Sequence, residues 1–177
     1  MTAGVAGLTG VLLVGGASER FGSPKALARF RGETLAARGH RLLSEACDEV
    51  LVVGKANELA ELPFPVVDDG AEGRAPVWGL ITGLRRASHD VVVALPVDVP
   101  LMTPAALRAL GEARGVPSPR VPLPGAYPRA LLATLEARVA AGELSLRGVN
   151  ETTLEIPEGL LVDADTPAAL AELERLA

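Results

Sequence analysis

Aromatic residues make up only 3% of a chain that is 49% apolar, so its core has to be built from Leu, Val and Ala. That composition suits a parallel sheet covered by helices on both faces. Cys47 is the only cysteine, which excludes an intramolecular disulfide framework and any multi-cysteine zinc site. It follows Ala46 in a helical pattern and reads as a small buried thiol. Only two histidines are present, His40 and His89, one on a predicted helix and one near a helix end. Each reads as solvated or capping, and no Ser/His/Asp or Cys/His constellation can be assembled from them. No apolar run approaches the length of a membrane span, and no basic-then-apolar segment opens the chain. A cytoplasmic protein with no membrane association is expected. The formal charge of −5 argues against a nucleic-acid partner, although a local basic cluster can still hold phosphate.

What is present points to one α/β domain over residues 1–177, enough chain for one real core and too little for two. Residues 11–14 form a continuous apolar run that stops at Gly15-Gly16, the pattern of a buried strand. Residues 17–24 are small, polar and rich in turn formers, and read as loop. Arg31-Gly32-Glu33 reads as a turn, with Thr34 capping a helix over residues 35–46. Residues 50–53 and 65–67 read as strands, the latter followed by Asp68, Asp69 and Gly70. A helix is predicted over 78–87 and a strand over 91–95. Thr103-Pro104 opens a helix to about Ala113, with proline at its first position. Prolines at 117, 119, 122, 124 and 128 exclude helix there and predict short extended pieces and a loop over one end of the sheet. Helix returns over 130–141, a late strand is predicted at Leu160-Leu161-Val162, and Thr166-Pro167 opens a last helix through Leu176. Alternating strands and helices without repeats or linkers make a three-layer α/β domain.

The chemistry concentrates in Leu13-Val14-Gly15-Gly16-Ala17-Ser18-Glu19-Arg20-Phe21-Gly22-Ser23-Pro24-Lys25. Paired glycines after a buried strand let backbone N–H groups approach a ligand without interference from Cβ. Arg20 and Lys25 add a planar fork and a point charge, which suits a triphosphate. The loop leaves the C-terminal end of a strand, where open α/β sheets bind ligands. The residues alone leave two readings: a phosphate grip, or a glycine-rich surface turn with two solvated cations. A P-loop is excluded because Gly22 precedes Ser23-Pro24 and Lys25 precedes Ala26. The dinucleotide fingerprint is excluded by the Gly-Gly-x₅-Gly spacing.

Gly-Gly-x-Ser-x-Arg-Phe-Gly-x-x-Lys resembles Leu-x-Gly-Gly-x-Ser-x-Arg-Met-Gly-x-x-Lys, the signature of the molybdenum cofactor guanylyltransferases. These form the MobA family, within a wider superfamily of sugar-phosphate and cofactor nucleotidyltransferases. Phe21 stands where Met is usual and keeps an apolar plug. The resemblance runs from about Val11 to Leu176 and is weakest in the proline-rich stretch. It implies an α/β/α sandwich of the Rossmann-like nucleotide-diphospho-sugar transferase fold, with a mostly parallel central sheet. It also implies transfer of GMP from GTP to molybdopterin (Mo-molybdopterin) with Mg²⁺, and contact with other molybdenum cofactor biosynthesis proteins.

Asp98 follows the clearest strand in Leu95-Pro96-Val97-Asp98-Val99-Pro100. Position alone leaves open a metal ligand or a carboxylate that only accepts hydrogen bonds from turn amides. The resemblance assigns it to the family's Asp-x-Pro metal motif. Asp69, ahead of Ala75-Pro76-Val77-Trp78-Gly79-Leu80, resembles an aspartate that helps hold the nucleotide, with Ala75 and Val77 departing from the usual Gly and Leu. Trp78 lies against a base or packs its helix onto the sheet. The resemblance thus makes Arg20, Lys25 and Asp98 catalytic. Leu13, Val14, Gly15, Gly16, Lys25, Asp69 and Asp98 become nucleotide-binding, and Asp98 the metal ligand. Asp163 and Asp165 precede Thr166-Pro167, where they complement a helix N-terminus. Guanylyltransferases usually carry asparagines there, whereas cytidylyltransferases carry aspartates, one of which can ligate metal. Gly15-Gly16 favours guanine, because cytidylyl relatives read Ala-Ala-Gly or Ala-Gly. Arg129, Arg138 and Arg147 are candidates for the pterin phosphate. The alternatives are a molybdopterin cytidylyltransferase, another small-acceptor nucleotidyltransferase, or a non-catalytic nucleotide-binding protein.

Overall fold

A computed structural model describes residues 7–15 and 21–176. Strand β1 (Leu8–Leu13) is buried along its whole length, because it runs through the middle of the molecule. It pairs in parallel with β4 (Glu49–Gly54) on one side and with β6 (Val91–Pro96) on the other. Beyond β4 lies the short parallel strand β5 (Val67–Asp68). Beyond β6 lies β7 (Gly125–Pro128), which runs antiparallel. The five-stranded order is therefore β5-β4-β1-β6-β7. A two-stranded hairpin, β2 (Arg29–Phe30) and β3 (Glu33–Thr34), stands apart from the sheet. Its turn places Arg31 and Gly32 at positive φ.

Successive side chains on a strand point to opposite faces, and β1 and β6 use that alternation to feed two cores. Leu8, Leu12, Val93 and Leu95 enter one core with α1 (Leu35–Ala46), α3 (Pro104–Ala113) and α5 (Pro167–Leu176). Val11, Leu13, Val92 and Ala94 enter the other with α2 (Pro76–Arg86) and α4 (Leu132–Ala140). Helix α2 seats closely on β1. A Cβ on Gly79 would lie 2.6 Å from Leu13 Cδ2, and one on Gly83 2.6 Å from Val11 Cγ2. Thr34 and Thr103 cap their helices as expected, accepting from the amides of Ala37 and Ala106 at 3.1 and 3.2 Å.

One expectation is revised. The apolar run Leu160-Leu161-Val162 is not a strand. Pro157 presets a 3-10 turn over Glu158–Leu160, and the amides of Leu160 and Leu161 are satisfied at once by Pro157 and Glu158 carbonyls. Val162 is left exposed. The proline-rich segment supplies short extended pieces as expected, and ends in β7. There Tyr127 is fully buried and its hydroxyl donates to the Pro122 carbonyl at 2.7 Å.

Candidate nucleotide site

The order of the strands determines where a ligand can sit. The chain passes from β1 through α1 to β4 on one side, and through α2 to β6 on the other. The two crossover helices lie on opposite faces, so a crevice opens at the C-terminal strand ends. Backbone hydrogen bonds hold those ends level: Val14 N–H to Val53 O at 3.0 Å, Val97 N–H to Leu13 O at 3.3 Å, and Asp69 N–H to Gly54 O at 3.1 Å.

A cleft of about 230 Å³ fills this crevice. Leu13, Gly15, Lys25, Asp69 and Asp98, separated widely in sequence, all line it. Val14 sits behind the wall, buried in the core, and only its backbone belongs to the strand end. Gly16 and Arg20 lie outside the described residues. Pro76 and Gly79, from the loop that the resemblance sets beside the base pocket, also line it, as does Asp165, whereas Val53 and Arg74 carry no sequence signal for a nucleotide contact. Arg74 pairs with Glu58.

The cleft has two chemically different ends. At one, Lys25 is nearly buried on a short 3-10 turn, with its ammonium 3.4 Å from Asp98 Oδ2 and 3.2 Å from Asp165 Oδ1. The ring of Phe21 lies 5.4 Å beneath that ammonium, which gives the apolar plug a second role as a cation–π partner. Asp165 reaches the site because the Ala164 amide donates to the Asp98 carbonyl at 2.7 Å, stitching the segment before α5 to the end of β6. Thr166 caps α5, accepting from the Ala169 amide at 3.1 Å. Burial pushes the Asp98 carboxyl above its usual range. Lys25 opposes that shift, and the charges of Asp165 and Asp163 add to it.

At the other end, Asp69 is tied to Lys55 at 2.6 Å and accepts from the Ala71 amide at 3.0 Å. Gly54 lets the end of β4 close on β1, since a Cβ there would stand 2.9 Å from the Gly15 nitrogen. Trp78 packs in the α2–α4 core as a partly buried side chain, so its packing role holds.

Two of the arginines expected at an acceptor phosphate, Arg129 and Arg138, hold backbone carbonyls of this chain, and Arg147 is exposed. Arg129 donates to the carbonyls of Leu84 at 2.8 Å and His89 at 3.1 Å, and to that of Ala87. It closes the C-terminus of α2, at the end of β6 remote from Asp98. Arg138 donates to the carbonyls of Ser145 and Arg147 and pairs with Glu143 at 3.3 Å. Arginine spacing on a helix could not distinguish a ligand contact from a helix cap.

The carboxylates gathered around Asp98 are the feature that bears on a metal. The charges of Asp165 and Asp163 act on Asp98 there, against the ammonium of Lys25. Among the described residues no three Asp, Glu, His or Cys side chains form a closed ligand cage. That donor set fits a hard divalent cation that keeps water and substrate phosphate in its shell.

Residues 10–153 match the MobA-like NTP transferase domain. A molybdenum cofactor guanylyltransferase of Pseudomonas syringae is 33% identical over 180 residues, covering 90% of each chain. Among solved structures, a molybdopterin-guanine dinucleotide biosynthesis protein A from Archaeoglobus fulgidus superposes with a TM-score of 0.77 at 20% identity, covering 95% of this chain and 97% of that one. A Mycobacterium tuberculosis protein in complex with manganese superposes at 0.66 with 23% identity, over 97% and 100% of the two chains. Both structures share the fold described above.

Proposed function

The chain belongs to the MobA-like NTP transferase family, and from that membership we propose that it transfers GMP from GTP to molybdopterin. Pyrophosphate leaves and molybdopterin guanine dinucleotide forms. The observation that carries this reading is the single cleft in which Gly15, Lys25, Asp69 and Asp98 meet. The end with Lys25 and Asp98 suits a triphosphate, and the apolar surface of Leu13, Val53, Pro76 and Gly79 suits a nucleoside.

In the reaction an oxygen of the molybdopterin phosphate attacks the α-phosphorus of GTP. The bond from that phosphorus to the bridging oxygen breaks, and its electron pair leaves with pyrophosphate. Such a transfer asks mainly for alignment and for neutralisation of charge. Lys25 and Arg20 carry cations for the leaving phosphates. Backbone groups at Gly15 and Gly16 approach the nucleotide without Cβ obstruction, with Leu13 and Val14 forming the strand end that presents them. Asp69 serves the nucleoside end. Asp98 would hold a divalent cation, which we assign as Mg²⁺ and which supplies charge neutralisation to the triphosphate when bound.

The whole chain acts as one domain in this reading. Among the described residues no helix is long and apolar enough to cross a membrane. We place the protein in the cytoplasm, beside the other molybdenum cofactor biosynthesis proteins. Titrating the protein with GTP, CTP, ATP and UTP in the presence of Mg²⁺ tests the proposal. Tightest binding of GTP supports it. Preference for CTP would move it to the cytidylyltransferases, in line with the aspartates at 163 and 165, and binding of no nucleotide would overturn it.

A further inference from the structure

Lys55 takes no part in the chemistry above, yet it is one of the most confined charges at the cleft. It follows β4 directly, and its side chain is only 12% exposed; that of Asp69 is 6% exposed. The Lys55 ammonium donates to Asp69 Oδ1 at 2.6 Å and also to the carbonyl of Ala71. The Ala71 amide donates back to the same Oδ1 at 3.0 Å. One oxygen of the carboxylate is therefore doubly engaged. The other, Oδ2, takes no hydrogen bond among the described residues, and it lies 3.7 Å from where a Cβ on Gly15 would stand. Asp69 Oδ2 is therefore a carboxylate acceptor left open at the cleft wall, where a ligand donor can reach it.

We infer that Lys55 is a positioning residue of the nucleotide site. By engaging Oδ1 of Asp69 and the Ala71 carbonyl, it fixes Oδ2 as the acceptor for an N–H or O–H donor on the nucleoside. This rests on the nucleotide site proposed above and adds a direction to it. An unmatched Asp69 would repel the triphosphate from this end, and an unmatched Lys55 would compete with Lys25 for the phosphates. Locked together they do neither. The phosphates are steered to Lys25, and the nucleoside meets an oriented acceptor. Lys55 also fastens the start of the loop that leads to Arg74 and Pro76, through the Ala71 carbonyl.

The donor is either a guanine N–H or a ribose hydroxyl, and calorimetry on the full chain with Mg²⁺ separates them. The ligands are GTP, ITP (lacking the exocyclic amine), 2′,3′-dideoxy-GTP (lacking the hydroxyls) and inorganic tripolyphosphate (lacking the nucleoside). Lys55→Met is expected to weaken GTP at least ~10-fold, the scale of one lost charge-assisted contact, while tripolyphosphate stays within about twofold of wild type. A nucleotide that lacks the contacted donor binds wild type more weakly and is insensitive to Lys55→Met. Insensitivity of ITP assigns the amine, insensitivity of dideoxy-GTP assigns a hydroxyl, and sensitivity of both assigns the ring N–H. Should Lys55→Met fail to fold, Lys55→Met with Asp69→Asn removes the unpaired charge, and it should show the same selective loss of GTP. Equal weakening of GTP and tripolyphosphate, or unchanged GTP affinity, overturns the inference while leaving the proposed function standing. A wild type that binds tripolyphosphate but prefers no nucleotide overturns both.

Discussion

Lys25 and Asp98 are 73 residues apart in the chain and meet at 3.4 Å in a cleft wall. The first comes from the turn after β1, the second from the end of β6, and the pairing joins the two halves of the phosphate end. Asp98 is partly buried, two further aspartates act on it, and Lys25 opposes them.

Replacing either member should therefore stop the chemistry. Lys25→Met and Asp98→Ala are each expected to cut turnover roughly 30- to 1000-fold, the usual effect of removing one preorganised charge contact at a transition state. Circular dichroism should show an intact fold in both. Near wild-type turnover in Asp98→Ala would remove the metal assignment, and in Lys25→Met the phosphate contact.

The same geometry makes a stability prediction with a definite sign. The Asp98 carboxyl sits above its ordinary range in the folded chain, because burial disfavours its charge. Ionised Asp98 thus costs stability at neutral pH, and that cost fades as pH falls below the raised folded value towards the ordinary carboxylate range. Asp98→Asn should unfold at a higher temperature than wild type at pH 7, with the difference shrinking on acidification. A lower melting temperature for Asp98→Asn at pH 7 would contradict this.

Gly54→Ala probes the closure of β4 on β1. Its methyl would stand 2.9 Å from the Gly15 nitrogen and 2.8 Å from Val14 Cγ2. One of these contacts is backbone, so the strand end itself must move. A destabilisation of about 1–3 kcal/mol is expected from such overpacking. Nucleotide affinity should fall with it, because the wall at Gly15 shifts. Denaturant titration and calorimetry read the two effects, and an unchanged Kd would separate Gly54 from the site.

Arg129→Ala separates a cap from a ligand contact. Its guanidinium closes the carbonyl end of α2 through Leu84, Ala87 and His89. Loss of about 1.5–3 kcal/mol of stability is expected, the worth of hydrogen bonds from a charged donor. The KM for the acceptor should not change. A raised acceptor KM with normal stability would return Arg129 to the active site.

Cys47 should be inert. Burial pushes its thiol up to about 12, so almost no thiolate exists at neutral pH. A disulfide reagent at pH 7.5 should label the native protein far more slowly than the denatured chain, whereas rapid native labelling would contradict the burial.

Much of the fold, and the Lys25–Asp98 end of the cleft, is legible in the amino-acid sequence. Continuous apolar runs locate β1, β4 and β6 because strands buried on both faces need no polar alternation. Thr34, Thr103 and Thr166 mark their helix starts because a capping hydroxyl is a local signal. The spacing from Gly15 to Lys25, and Asp98 at a strand end, point to the cleft in which those residues meet. Long-range contacts are not legible. Nothing local to Asp165 says that Ala164 will dock on the Asp98 carbonyl. Nothing at Lys55 says that it will meet Asp69, and Arg129 reads as a surface arginine until α2 is seen to end beside it. The strand expected at 160–162 fails for the opposite reason, because local turn hydrogen bonds from Pro157 outweigh three apolar residues.

The most direct test of the central claim follows the α-phosphate. Purified protein is incubated with Mg²⁺, molybdopterin and GTP labelled at the α-phosphorus, beside an identical reaction with labelled CTP. The expected result is label transferred to the pterin with stoichiometric pyrophosphate from GTP, and far less from CTP. Transfer from CTP in preference to GTP, or no transfer from either while both are bound, would contradict guanylyl transfer by this chain.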